Sequence, residues 1–234
     1  MHRKIGLVGG LSPESTLDYY RYLIHSYRET YGNEYYPEIV IYSVPFQQYA
    51  EWSQAGAWDK IADGLIEAAN FLAAVHCELA ALTANTMHRV FDQVQAAVDV
   101  CMISIVETTG EALKNDGIEK VALLGTKYTM TDPAIYFNNL AEKGIEILVP
   151  DNTGIGKINN IIYSELTKGV IKENSKKVFL EEIAKLIDRG AQGVILGCTE
   201  IPLIVSPEEI SVKSYDTMEL NADAILRIAV QQEI

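Results

Sequence analysis

The sequence predicts an α/β protein of two similar doubly wound lobes with mostly parallel sheets. Short apolar, β-rich runs alternate with longer segments whose apolar residues recur at helical spacing. Runs such as Val121–Leu124 and Gly193–Leu196 lack polar–apolar alternation, as expected for strands covered on both faces. Landmarks of the first half also recur in the second.

In chain order the expected strands are Lys4–Val8, Glu38–Val44, Leu79–Thr83, Met102–Ile105, Lys120–Gly125, Ile145–Val149, Gly193–Leu196 and Val212–Tyr215. Helical spacing marks Trp58–Val75, Lys157–Leu166, Val178–Ile187 and a last helix over Thr217–Val230. Ile5–Pro13 opens one half and Val121–Pro133 the other. Roughly 75 residues later each half ends a strand in a small-polar cluster, Leu82–His88 and Leu196–Glu200. This gives a first lobe over residues 1–105, with the C-terminal helix 216–234 packing back on it, and a second over 106–215. Pseudo-two-fold symmetry is expected, with the site in the cleft between the lobes, because such sheets bind ligands at strand carboxyl ends.

Composition bounds the function. The 234 residues are 48% hydrophobic and 22% charged, ordinary for a folded chain. Nineteen Lys and Arg against 32 Asp and Glu leave a net charge of −13, which argues against nucleic acid or an anionic membrane as partner. An anionic substrate therefore needs local positive potential. Met1–Ile5 leads directly into a strand without a signal-peptide pattern, and Ala68–Ala84 is interrupted by Asn70, His76 and Glu78. Cys77, Cys101 and Cys198 have neither disulfide nor zinc spacing, so no metal is expected. A cytoplasmic, reducing location follows as an expectation.

Four segments and one lysine carry chemistry. Cys198 stands where a buried strand is expected to give way to a helix. Backbone N–H groups there would favour the thiolate, and Thr199 and Glu200 could cap the helix or touch a ligand. Cys77 and Cys101 read instead as small buried hydrophobes. Asn85 and Thr86 offer an amide and a hydroxyl to a carboxylate, or cap a helix beginning near Met87, and His88 reads as a surface or supporting histidine. Gly9 and Gly10 permit a tight turn before Ser12, a natural N-cap with Pro13 behind it. Thr126 and Thr129 supply hydroxyls at the matching place in the second half. Lys168, beside Gly169, is the cation nominated for a distal carboxylate, although a lysine there also complements a helix end.

These residues resemble the aspartate/glutamate racemase superfamily, the cofactor-independent Asp/Glu/hydantoin racemases. The resemblance rests on Gly9–Thr16, Asn85–His88, Leu123–Thr126 and Gly197–Glu200, and lies nearest the aspartate and aspartate/glutamate branch. It implies a small amino dicarboxylate substrate, no cofactor and a homodimer. It also implies two thiol groups, one removing the α-proton and one delivering a proton to the other face. Ser12, Asn85, Thr86, Thr126, Thr129, Lys168, Thr199 and Glu200 would bind substrate. The family pattern before Asn-Thr is Pro-Cys, with Thr or Ser in some members. Here the pair is Thr83-Ala84, and Ala84 has no proton to exchange. Three readings stand open: a racemase whose partner base is substituted, a single-thiol lyase working through Cys198, and a non-catalytic dicarboxylate-binding protein.

Overall fold

The structure, a computed structural model, describes residues 2–230. They form an α/β fold with two parallel four-stranded sheets, in two compact units: residues 2–105 with 218–230, and Val106–Thr217.

In the first unit the order is β1 (Ile5–Gly9), α1 (Pro13–Tyr31), β2 (Ile39–Ser43), α2 (Phe46–Gln54), α3 (Trp58–Ala74), β3 (Leu79–Leu82), a 3₁₀ turn (Thr86–Val90), α4 (Phe91–Ala96) and β4 (Cys101–Met102). The strands pair in parallel as β2-β1-β3-β4, with Ile5 opposite both Ile39 and Leu79. Alternate residues leave opposite faces of the sheet. Ile5, Leu7, Leu79 and Ala81 join Tyr19, Leu23, Ala222 and Ile225, whereas Val8, Ala80 and Leu82 join Ile61, Leu65 and Leu72. Both faces are therefore dry, which is why the runs show no alternation. Ser12 adopts the extended conformation of an N-cap and accepts from the Ser15 N–H at 3.4 Å, with Pro13 next, as its sequence predicts. Gly32 (φ 65°) ends α1 in the left-handed region that favours glycine.

The second unit runs α5 (Ile105–Asn115, whose first residue closes the other unit), β5 (Lys120–Gly125), α6 (Lys127–Thr131), a π-helical turn (Pro133–Phe137), α7 (Asn138–Glu142), β6 (Glu146–Leu148), α8 (Asn152–Ser164), a 3₁₀ turn (Leu166–Lys168), α9 (Glu173–Asp188), β7 (Gly193–Gly197), 3₁₀ turns at Ile201–Leu203 and Pro207–Glu209, and β8 (Lys213–Asp216). Its strand order, β6-β5-β7-β8, repeats that of the first unit. Ala122, Leu124, Val194 and Leu196 pack with Ile158, Ile162, Phe179 and Ile183 in one buried cluster. The last helix, α10 (Thr217–Val230), carries the chain back into the first unit's core through Met218, Ala222 and Ile225. Residues 231–234 of the expected 216–234 helix lie outside the described residues.

Three expectations change. The strand expected at Met102–Ile105 is only Cys101–Met102, because Ile105 already begins α5. Cys101 is exposed rather than packed, since β4 is a two-residue edge strand paired to β3 alone. The helix expected from Lys157 starts at Asn152, where the Asp151 carboxylate accepts from the Gly154 N–H at 2.8 Å. Gly154 and Gly156 hide that start from a propensity reading, and the cap supplies it. Among the described residues no helix is long and apolar enough to cross a membrane.

Candidate active site

In each sheet the first strand is central, and the chain leaves it first to one side and then to the other. The loops after β1 and β3 flank this switch in the first unit, and those after β5 and β7 in the second, the position where doubly wound sheets bind ligands.

The residues singled out in the second unit gather at such a place. Leu124 pairs with Leu196 and Gly125 with Gly197, so the strand ends carrying Thr126 and Cys198 are neighbours. They approach closely: a Cβ on Gly197 would lie 2.8 Å from Leu124 O and 3.1 Å from Thr129 Cγ2, and one on Gly125 2.9 Å from the same methyl. Thr126 caps α6, its hydroxyl accepting from the Thr129 N–H at 3.2 Å and meeting Thr129 Oγ1 at 3.1 Å. Thr129 is fully buried.

Cys198 is 8% exposed, and its Sγ donates to Glu200 Oε2 at 2.9 Å. Thr199 Oγ1 donates to the same oxygen at 3.2 Å. The expected helix after Cys198 is one 3₁₀ turn, Ile201–Leu203, with no side-chain cap from Glu200. Ser206-Pro207 follows too soon for more, because a residue before proline avoids the helical region. The dipole argument for a thiolate therefore fails. Burial first, and then the Glu200 charge and hydrogen bond, push the Cys198 thiol well above its ordinary value, so the resting group is a thiol. Tyr163 on α8 also faces this cluster. Burial pushes it up to about 12, with contributions from Cys198, Tyr128 and Glu200. No motif or spacing in the sequence singles out Tyr163. Lys168 itself is exposed at the end of its 3₁₀ turn, before Gly169 (φ 68°), and forms no ion pair among the described residues.

In the first unit the start of α1 and the end of β1 are both bound to Thr83, the residue after β3. Ser15 Oγ donates to Thr83 O at 3.3 Å, and Thr83 Oγ1 donates to Val8 O at 3.2 Å. Thr16 Oγ1 donates to Ser12 O and accepts from the Gly10 N–H, both at 2.9 Å. The Thr83 proton is thus committed to the backbone and does not replace the group missing at Ala84. Ala84 itself is half-buried against the first unit's core. Asn85 and Thr86 are buried, and Asn85 makes no side-chain cap to the 3₁₀ turn that follows.

Of its two readings, surface or supporting, His88 takes the supporting one. It is 4% exposed, stacks on Phe91 at 4.9 Å, pairs its Nδ1 with Ala84 O at 3.0 Å, and accepts from the Ile105 N–H through Nε2 at 3.0 Å. An Nε2 that accepts carries no proton, so the Nδ1–H donates and the ring is neutral. Burial holds its pKa down to about 4. His88 therefore fixes the carbonyl of residue 84 and the start of α5. No group of three or more His, Cys, Asp or Glu side chains placed to hold a metal occurs among the described residues.

A profile of the Asp/Glu/hydantoin racemases matches residues 8–225. The chain is 31% identical over 216 residues to the broad specificity amino-acid racemase RacX of Bacillus subtilis (strain 168), covering 91% of this chain and 92% of RacX. The crystal structure of an aspartate racemase homologue from Pyrococcus horikoshii OT3 superposes with a TM-score of 0.85 at 39% identity, covering 98% of this chain and 100% of that one. A candidate Asp/Glu racemase from Yersinia pestis gives 0.91 at 37% identity, with the same coverages.

Proposed function

Because the chain belongs to the Asp/Glu/hydantoin racemase family, we propose that it is a cofactor-independent enzyme acting at the α-carbon of aspartate or glutamate through Cys198. The observation that carries the reading is the buried Cys198 thiol at the carboxyl end of β7, beside the hydroxyls after β5. An α-proton next to a carboxylate is very weakly acidic. Its removal needs a desolvated sulfur close to the carbon and hydrogen bonds to the carboxylate on which charge develops. In this reading Cys198 is the proton-transfer group, and Thr126, Thr129 and Thr199 hold the α-carboxylate. Ser12, Asn85 and Thr86 are further substrate ligands, and Lys168 receives the side-chain carboxylate, the local cation that a chain of net charge −13 requires. The enzyme acts as a homodimer in the cytoplasm.

Ala84 makes inversion deficient. A sulfur on one face removes and returns a proton with retention, so the expected activity is α-proton exchange with little racemisation. The same residue favours a second reading, a single-thiol decarboxylase-like lyase that protonates from one face. The test follows deuterium uptake by L- and D-aspartate and glutamate in D₂O by NMR, with enantiomers separated by chiral chromatography and carbon dioxide release recorded. Exchange that disappears in Cys198→Ala, and L/D interconversion that rises at least about tenfold in Ala84→Cys, are expected. Exchange unaffected by Cys198→Ala, or no gain from Ala84→Cys, defeats the racemase reading. Carbon dioxide release supports the lyase. Because RacX is named for broad specificity, the substrate panel includes neutral amino acids.

A further inference from the structure

A buried thiol beside a carboxylate is a poor source of thiolate, because ionising it sets two anions side by side. Yet the Cys198 S–H points at Glu200 Oε2 across 2.9 Å, and the Thr199 hydroxyl joins it on that oxygen at 3.2 Å. Glu200 is 3% exposed, and its Oε1 meets no donor among the described residues. Buried carboxylates that serve only packing have their oxygens satisfied. Here one oxygen collects the reactive proton and the other has nothing to hold its charge.

We infer that Glu200 is the internal acceptor of the Cys198 proton, the two side chains forming one proton-sharing pair. This rests on the proposed function and deepens it. The S–H bond breaks, an O–H bond forms on Oε2, and the negative charge moves from carboxylate to sulfur. The new O–H then donates back to the thiolate. When the thiolate takes the α-proton, both members of the pair are neutral and the charge resides on the substrate carbanion, with no anion opposite it. Returning a proton to carbon reverses both steps. Tyr163 on α8 also faces the pair and, pushed up to about 12, stays neutral throughout. Glu200 thus acts through Cys198.

The test compares wild type, Glu200→Gln and Cys198→Ala in two measurements. One is the pH dependence of Cys198 alkylation by iodoacetamide, read by peptide mass spectrometry. The other is deuterium uptake by L- and D-aspartate and glutamate. Removing the Glu200 charge is expected to move the alkylation half-point to lower pH while exchange falls about tenfold or more. The opposite pairing, more thiolate with exchange unchanged or faster, overturns the inference, since Glu200 would then act only as a repelling charge. If Glu200→Gln does not fold by circular dichroism, Glu200→Asp replaces it, keeping the charge with a shorter reach: slowed exchange supports the pair, and a wild-type rate overturns it. A wild type that exchanges no α-proton defeats the proposed function. The alkylation profile then judges the pair alone, and a half-point unmoved by Glu200→Gln overturns it.

Discussion

Acidifying the protein from pH 7.5 to 5 is expected to remove about 2 kcal/mol of stability from the first unit through His88 alone. The ring is buried, neutral and hydrogen-bonded on both sides, with its pKa lowered from 6.5 to about 4. In the unfolded chain His88 binds a proton near pH 6.5, and in the folded chain only near 4. Between these values the unfolded state holds more protons, so stability is full above about pH 6.5 and is lost as pH falls toward 4. The whole shift, about 2.5 units at 1.36 kcal/mol each, amounts to about 3 kcal/mol, of which about 2 is gone by pH 5. The control is His88→Gln, which cannot charge. It loses the ring's paired hydrogen bonds and should cost about 1–3 kcal/mol at pH 7.5. Subtracting the two stabilities at each pH cancels the other titrating groups. The assay is urea unfolding followed by tryptophan fluorescence, and it reports the right unit because both tryptophans, Trp52 and Trp58, lie there. The gap between wild type and variant should close by about 2 kcal/mol between pH 7.5 and 5. A gap constant within about 0.5 kcal/mol would refute the buried neutral ring.

Gly197→Ala should destabilise the second unit by about 1–3 kcal/mol, seen as a lower melting temperature, because its Cβ would meet Leu124 O at 2.8 Å, which is backbone and cannot rotate away. The same variant should slow Cys198 chemistry by displacing the residue next to it, whereas Gly144→Ala, with nothing within 4 Å of its Cβ but φ 77°, should show only a conformational cost of about 1 kcal/mol. Thiol titration of the native protein should label Cys101 quickly and Cys77 and Cys198 slowly. Equal rates for all three would contradict the burial described above.

The strands were legible because parallel sheets covered on both faces leave uninterrupted apolar runs such as Val121–Leu124. The α1 start was legible because Ser12-Pro13 carries its own capping chemistry. Residues at strand carboxyl ends could be nominated from the chain for the same reason. What surrounds them could not. Glu200 reads equally as a helix cap or a substrate ligand, and only the folded chain, with one short turn after Cys198, brings its carboxylate onto the thiol. Tyr163 lies far from Cys198 in sequence, and no local pattern announces that it faces the thiol.

By itself, then, the sequence determined the α/β class, the repeated half, the position of Cys198 at a strand end, and the methyl group at Ala84 where the family pattern places an acid/base group. These are properties of covalent identity and local periodicity. The tertiary structure alone decided the charge states: a thiol at Cys198 rather than a thiolate, and a neutral ring at His88. Protonation depends on burial and on groups brought together by folding, and neither is encoded in the spacing of residues along the chain.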